Sequence, residues 1–583
     1  MSKNNLETIR HSLAHILATA VLDMFPEAKF GTGPATENGF FYDFDLPRTL
    51  IPEDLPILEE KMIKIIKANY KIEEAGADIE KAGNDFVKIQ QQYKVELVND
   101  LKEAGEKKVG LYKINGFVDL CKGPHIESTG EIDPQSFKLN RISGVYWKSD
   151  EKNKQLQRIY GLAFENKNEL KEYLKQVEEA EKRDHKKLGK ELGLFIFSEL
   201  VGPGLPLYTP KGAIVRREIQ NYSNELRKKI GYQEVHTPQI NKASLFKKSG
   251  HYDKYKDDMF RVISNHTKEE YYLKPMNCPQ HTQIFASQMR SYKELPIRIA
   301  DFANLYRDEK PGQLAGLTRL RAFSQDDGHC FCREDQIEAE FDSILKVIEE
   351  AMKTYGMEYY IRLSLRDEKE KEKYLGSDEA WNKSQKILKD LLEKKKVKHI
   401  LAEGEAAFYG PKMDLVAKDS IGREWQLSTI QLDFNMPERF ELEYIGIDGN
   451  KHTPVMIHSA IVGSPERFMG VLIEHHAGAF PLWLSPVQTM IIPVSEKFNE
   501  YGNKILEELK KNDIRVEIDD SDESLGKRIR NTEKQKVPYI LVVGEKEEGS
   551  KSVAVRSRDT KEQNVSKIEE FIEKVLKEIK EKK

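Results

Sequence analysis

The stretch RLRAFSQDDGH, residues 319–329, alternates with a period of two. Successive side chains of a strand point to opposite faces, so as a strand it puts Arg319, Arg321, Phe323, Gln325, Asp327 and His329 on one side. That side carries cations, a ring, an amide, a carboxylate and an imidazole, which is no core face. A solvated strand face is the plain alternative. Leu320, Ala322 and Cys330 on the other side argue against it, because they read as buried. The preceding segment, LPIRIADFANLYRDEKPGQLAGL (295–317), reads as a strand ending in Arg307 and Glu309, then a glycine-containing loop. Together they predict a long antiparallel hairpin. The fold must therefore contain an antiparallel sheet with one packed face and one face rich in reactive groups.

The chain has 583 residues, enough for three or four domains. Hydrophobic residues make up 39% and charged residues 33%, the balance of a globular protein with a hydrophilic surface. A net charge of −4 excludes a polycation, so any nucleic acid must be met by local basic patches. The N-terminal MSKNNLETIRHSLAH has no secretory pattern, and no apolar run is long enough for a bilayer. Cys121, Cys278, Cys330 and Cys332 read as reduced thiols or ligands, and a cytoplasmic location without membrane contact is expected.

Four regions are expected along the chain. Region 1–166 opens with a helix over residues 6–25, followed by GTGPATENGFFYDFD (31–45), a turn leading into an aromatic strand. Region 167–192 is highly charged and reads as one connecting helix. Region 193–484 holds the breaker-rich VGPGLPLYTPKG, a helix over 213–229, the strand GYQEVHTPQI and the hairpin. Region 485–583 alternates strands and helices, which predicts a small α/β domain on a mostly parallel sheet.

Other segments carry reactive groups. RHSLAHIL (10–17) sets His11 and His15 one helical turn apart, a spacing that suits a metal site, an acid/base pair or an ordinary surface. In YLKPMNCPQH (272–281), Cys278 sits among turn-forming residues; a lone cysteine is usually a small core residue. In TPVMIHSAIVGSPERF (453–468), His458 lies on a strand and Ser464 caps a helix with Pro465 at its first position. Arg467 in that first turn suits a phosphate.

RDE at 307–309 and GSPERF at 463–468 resemble the second and third signature motifs of class II aminoacyl-tRNA synthetases. GYQEVHTPQI, with Pro238, resembles the first, a dimer-interface motif. KPMNCP, QDDGH, His458, AFYGPK (407–412), WQLSTIQLDF (425–434), HSLAH and DLCKGPH (119–125) together resemble the threonyl members of that class. The ordered set spans nearly the whole chain. Many bacterial members begin with a small ubiquitin-like domain; here nothing precedes the HSLAH helix, so that domain's role is expected to be absent.

The resemblance implies an α+β multidomain protein: an α/β N-terminal editing domain, a class II antiparallel sheet flanked by helices, and a C-terminal α/β anticodon-binding domain. It implies a homodimer that acts on ATP, L-threonine and tRNA(Thr). Arg307 is expected on the ATP α-phosphate, Arg467 on the γ-phosphate and Arg319 on a further phosphate. Phe323 is expected to stack on adenine, with Glu309 and Gln426 lining the ATP site and Mg²⁺ bridging phosphates. Gln325, Asp327, Tyr409 and Gln431 are expected around threonine. Cys278, His329 and His458 are expected to hold one Zn²⁺ per subunit, three protein ligands leaving a position open. Threonine would fill it with its amino and hydroxyl groups. An apolar pocket rejects the isostere valine only about 10²-fold, whereas a site demanding a hydroxyl reaches roughly 10⁴ to 10⁵. Cys330 and Cys332 form an alternative ligand cluster with His329, but on a strand they face away from it.

Serine also has a hydroxyl, and one missing methyl gives about 10- to 200-fold discrimination, so a second hydrolytic site is expected. His11, His15, Cys121 and His125, with Lys94 and Asp119, resemble the family's pocket that hydrolyses seryl-tRNA. The same four side chains also read as a zinc site. In the last domain, Glu547 and Arg556 are expected anticodon contacts, with Lys527, Arg528, Arg530, Lys536 and Arg558 as further RNA contacts. Two other readings stand beside this one: a metal-dependent hydrolase centred on the histidine cluster, and a synthetase-like RNA sensor. The first leaves the ordered motifs unexplained. The second conflicts with intact Arg307 and Arg467. Prolyl and seryl enzymes share the catalytic fold but not the Cys278/His329/His458 set.

Overall fold

The computed structural model describes residues 3–583, with side chains from Leu6 onward. The chain divides into two compact units, Met1–Glu178 and Glu179–Lys583.

In the first unit the helix Lys3–Met24 is the core element. Leu13, Ala14, Ile16, Leu17, Ala20 and Val21 are fully buried, wrapped by the strand Gly39–Asp45 and the helix Asp54–Lys67. Gly39–Asp45 pairs with Gln155–Ala163, which pairs with Phe137–Tyr146, all antiparallel. A separate three-stranded sheet, Glu73–Asp78, Lys108–Ile114 and Phe117–Leu120, carries Asp119 and leads to Cys121. The helix Gln92–Glu103 supplies Lys94.

The charged connecting segment is two helices rather than one, Lys167–Arg183 and His185–Glu191. Asp184 stands between them in a non-helical conformation, and its carboxylate accepts from the Lys186 and Lys187 amides. An acidic N-cap of this kind starts a helix, and here it ends the previous one.

The second unit is built on an eight-stranded sheet in the order Gln233–Glu234, Ile297–Tyr306, Ala322–Cys332, Val455–Ala460, Glu424–Asp433, Lys412–Lys418, Glu358–Leu365, His399–Glu403. The two edge pairings are parallel and the interior ones antiparallel. The hairpin is present, with Ile299 opposite His329 and Leu305 opposite Phe323. Its second strand starts at Ala322, so Arg319 and Arg321 lie in the loop before it; the Ala315–Arg319 bridge and the bond from Arg321 N to Gly204 O hold them there. GYQEVHTPQI is not one strand but two short pieces, Gln233–Glu234 and Ile240–Lys242, in different sheets. The helices Pro210–Lys229, Ile337–Thr354 and Pro465–His475 pack an apolar core on one face of the sheet. Cys330 and Cys332 are buried in that core, away from His329.

The C-terminal sheet runs Val516–Ile518, Thr489–Pro493, Tyr539–Val543, Ser552–Ser557, Gln563–Lys567. The first three strands are parallel and the last two pairings antiparallel, so it is mixed rather than mostly parallel. The connections between the last three strands are too short for a crossover, the longer one holding just the six-residue helix Glu545–Ser550, and so these strands pair as hairpins.

Candidate functional site

Within the second unit the strands Ala322–Cys332, Val455–Ala460 and Glu424–Asp433 lie side by side, with His329 opposite His458 and His458 opposite Gln431. This register brings together residues far apart in sequence. The helix Cys278–Ala286 delivers Cys278 at its first residue. The ligand atoms of Cys278, His329 and His458 lie within 4.8 Å of one another, and all three residues are buried. His329 Nε2 is 3.0 Å from His458 Nδ1. The outer nitrogens are also held: His458 Nε2 lies 2.9 Å from Asp433 Oδ2, and His329 Nδ1 lies 2.7 Å from His281 Nδ1. Burial keeps His329 well below the usual imidazole range, hence neutral with a lone pair to give. Burial also pushes the Cys278 thiol up, a cost that a bound cation removes by deprotonating it. One sulfur, two imidazoles and carboxylate or imidazole support behind them fit a zinc ion.

Beside this triad, Tyr409 stacks on the His458 ring with centroids 4.7 Å apart, and its hydroxyl bonds Gln431. Asp327 is 3.7 Å from His329, and burial pushes its carboxyl up to about 7. A cleft of about 740 Å³ opens next to it, lined by Arg307, Glu309, Arg319, Phe323, Gln325, Gln426, Gln431 and Arg467. The sequence-predicted cluster is thus one place. Arg307 projects from the hairpin with its guanidinium 5.1 Å from the Phe323 ring. Arg319 pairs with Glu309 at 2.8 Å. Gln426 is fixed between Arg362 and Asp414. Ser464 caps the helix Pro465–His475 by accepting from Arg467 N. The Arg467 guanidinium lies 6.0 Å from the Trp425 ring, and its Nε is buried without a hydrogen-bond partner. A desolvated guanidinium at a helix N-terminus calls for an anion.

The first unit gathers the second cluster. His11 Nε2 and His125 Nε2 lie 3.2 and 3.4 Å from Cys121 Sγ. His15 Nε2 is 3.4 Å from Asp119 Oδ2, and its Nδ1 is buried with no partner. Lys94 forms a buried ion pair with Asp119. Burial pushes the Asp119 carboxyl up, but Lys94 and His15 outweigh it and hold the carboxylate below its usual range. Burial lowers all three imidazoles, His15 to about 4, so they are neutral proton acceptors. Burial raises the Cys121 thiol, which therefore is no ready nucleophile.

Some participants escaped the sequence reading. Tyr42 accepts from Lys94 at 3.0 Å and donates to Asp119 at 2.7 Å, yet on FFYDFD it shares a face with Phe40 and Phe44 and looks like core. Asp433 and His281 back the two metal-competent imidazoles, and no local pattern marks them. In the C-terminal domain Glu547 caps its helix by accepting from Gly544 N, and Arg556 lies on the strand Ser552–Ser557, partly exposed. Two expected RNA contacts are corrected. Arg528 donates to the Asp519 and Pro493 carbonyls, and Arg558 to those of Lys536 and Phe480, so both guanidinia are committed to the fold.

The chain matches the family models described as tRNA synthetase class II core domain (G, H, P, S and T) over residues 260–476, anticodon binding domain over 488–578, and threonyl and alanyl tRNA synthetase second additional domain over 109–160. It is 48% identical to a threonine--tRNA ligase of Gloeobacter violaceus, over 95% of this chain and 89% of that protein. It is 46% identical to one of Oceanobacillus iheyensis, over 100% of this chain and 90% of that protein. A crystal structure of the RNA binding domain of threonyl-tRNA synthetase from Cryptosporidium parvum Iowa II superposes with a TM-score of 0.65 at 38% identity, covering 68% of this chain and 98% of that one. With the zinc-competent triad, the anion-seeking arginines and these relatives on both sides of it, the chain belongs to the threonine--tRNA ligase family of class II aminoacyl-tRNA synthetases.

Proposed function

We propose that the chain activates L-threonine with ATP in the cleft of the second unit, transfers it to tRNA(Thr), and hydrolyses mischarged seryl-tRNA in the histidine pocket of the first. Residues 1–166 serve editing, 167–192 connect, 193–484 catalyse and 485–583 bind the anticodon. One observation carries the activation reading: half-buried Arg467, at a helix N-terminus with its buried Nε unpartnered, lines a cleft that also holds Arg307 and the Phe323 ring.

In activation the threonine carboxylate attacks the α-phosphorus and pyrophosphate leaves. Arg307 holds the α-phosphate, Arg319 and Arg467 hold the outer phosphates, and Mg²⁺ accompanies ATP. Positioning and charge neutralisation suffice, so no protein nucleophile is needed. Phe323 stacks on adenine, and Glu309 and Gln426 line the nucleotide. Cys278, His329 and His458 hold one zinc ion, which when bound supplies a Lewis-acid site that tells a hydroxyl-bearing amino acid from valine. Asp327 takes the substrate's hydroxyl or its ammonium, with Gln325, Tyr409 and Gln431 around it. A ribose hydroxyl of tRNA then attacks the adenylate carbonyl and AMP leaves. Glu547 and Arg556 contact the anticodon.

In the first unit, the unpartnered His15 Nδ1 beside His11 and His125 supports a positioned water. Asp119 holds the seryl ammonium, and Lys94 stabilises the leaving ribose oxygen. A homodimer is supported by exposed Ile196, Phe197, Leu200, Val201 and Leu207 around the short hairpin Phe195–Ile196 and Leu207–Tyr208. Among the described residues no helix is long and apolar enough to cross a membrane. We place the enzyme in the cytoplasm.

The test is ATP–pyrophosphate exchange across amino acids with zinc measured in parallel. Threonine should support exchange best, serine about 10- to 200-fold more weakly and valine hardly at all, with one zinc per chain. Arg307→Ala and Arg467→Ala should abolish exchange while the fold persists, and Cys278→Ser should lose metal and threonine activation together. Exchange at the wild-type rate in Arg307→Ala overturns the site. Two zinc ions per chain would instead place one in the histidine pocket, whose four donors also lie within 4.8 Å.

A further inference from the structure

His185 opens the short helix His185–Glu191, just after the segment that joins the two units in sequence. It is 5% exposed, and both ring nitrogens are engaged. Nδ1 lies 2.6 Å from Glu474 Oε1, and Nε2 lies 2.9 Å from the Leu317 amide nitrogen. The partners leave one arrangement. A backbone N–H only donates, so Nε2 carries a lone pair; a carboxylate oxygen accepts, so Nδ1 carries the proton. Glu474 also accepts from the His185 amide at 3.0 Å and is ion-paired with Arg423. Burial pushes the Glu474 carboxyl up, but the bonds from His185 and the Arg423 charge hold it below the usual range. The imidazole is thus pinned on its far side and presents a fixed acceptor to Leu317.

Leu317 and Thr318 line the cleft, and Arg319 follows them. The loop is shaped to receive the ring. Gly316 has φ +53°, and a Cβ there would stand 2.2 Å from His185 Nε2. On the other side Gly470, on the helix that starts with Arg467's turn, leaves the ring in ordinary contact, with its added Cβ 3.5 Å from His185 Cδ2. The Leu317 side chain is 1% exposed in the core, so the loop is tied by its side chain, by this one amide bond and by the Ala315–Arg319 bridge.

We propose that His185 is a positioning residue for ATP: its Nε2 holds the Leu317 N–H and thereby sets the loop that presents Thr318 and Arg319 to the nucleotide. This rests on reading the cleft as the ATP site. His185 touches no reacting atom, so its effect falls on nucleotide binding and not on threonine.

Two variants of the full-length enzyme separate the roles of the two nitrogens. His185→Asn keeps a donor at the Nδ1 position for Glu474 and removes the acceptor for Leu317. His185→Gln places an amide oxygen near the Nε2 position and keeps that acceptor. In ATP–pyrophosphate exchange, His185→Asn should raise the KM for ATP about tenfold, the value of one buried hydrogen bond. The KM for threonine should stay within twofold, and His185→Gln should restore the ATP KM to within threefold of wild type. Hydrogen exchange of the Leu317 amide should quicken in His185→Asn and not in His185→Gln. An unchanged ATP KM in His185→Asn, or equal rises for ATP and threonine, overturns the proposal. Arg467→Ala is the reference, expected to lose exchange: if it exchanges at the wild-type rate with an unchanged KM for ATP, the ATP assignment of the cleft has failed, and the role of His185 falls with it.

Discussion

The Nε2 of His458 lies 2.9 Å from Oδ2 of Asp433, on the far side of the ring from the nitrogen that faces His329. Asp433 uses its other oxygen differently: Oδ1 accepts from the Asn435 and Met436 amides at 2.7 and 2.8 Å. Asp433→Asn therefore keeps an oxygen for the two amides and turns an NH₂ toward His458. Loss of a supporting carboxylate behind a metal-binding imidazole typically costs about 10- to 100-fold in metal affinity. Competition with a chromophoric chelator should show that loss, with thermal stability little changed. Wild-type affinity in the variant would mean that Asp433 does not support the metal site.

In the first unit Tyr42 joins Lys94 to Asp119 through its hydroxyl. Tyr42→Phe removes one hydrogen bond from a buried carboxylate, worth about 1 kcal/mol or somewhat more. Deacylation of pre-formed seryl-tRNA should slow about tenfold, while threonine charging stays as in wild type. His11→Ala with His15→Ala should go further: seryl-tRNA should persist and accumulate when serine is supplied. Rapid deacylation by the double variant returns the two histidines to an ordinary helix surface.

The pH profile of that hydrolysis follows from burial. His11, His15 and His125 all lie below the ordinary imidazole value, so the neutral, proton-accepting form dominates at pH 7, and His15, lowered by burial to about 4, keeps it as the pH falls toward 5. A base that is already deprotonated gains nothing from higher pH. The single-turnover deacylation rate should therefore be level from about pH 6 to 8, falling only in more acidic solution. A rate that climbs steeply through pH 6.5 points to an imidazole of ordinary basicity.

Arg227 and Asp326 form a buried pair at 2.6 Å beneath the cleft strand. Arg227 also donates to the Ser459 carbonyl, and Asp326 accepts from the Ile461 and Val462 amides just before the loop to Arg467. Removing one member leaves the other charged and buried. Arg227→Met should cost about 3–5 kcal/mol. Urea unfolding followed by tryptophan emission reads this directly, since Trp381, Trp425 and Trp483 lie in the same unit. A shift below about 1 kcal/mol would show that the surroundings relax around the lone carboxylate.

Features that depend on near neighbours are legible in the residues alone. Period-two alternation gave the hairpin strand and the shared face of Phe323, Gln325, Asp327 and His329. Ser464, Pro465 and Arg467 announced a capped helix end, because capping is a matter of three adjacent residues. The ordered motifs were enough for the family, and they named residues that the fold gathers around one cleft. Where local patterns are overridden or silent, long-range packing sets the outcome. The strand begins at Ala322 because the loop before it is bonded elsewhere, and GYQEVHTPQI is divided because its halves serve two sheets. Arg528 and Arg558 looked like surface cations until the carbonyls they bind came into place. Tyr42 kept its core pattern while its hydroxyl served Asp119. His185 meets Leu317 across 132 residues and Glu474 across 289, and no short-range periodicity records a bond that forms only when distant strands and helices close on each other.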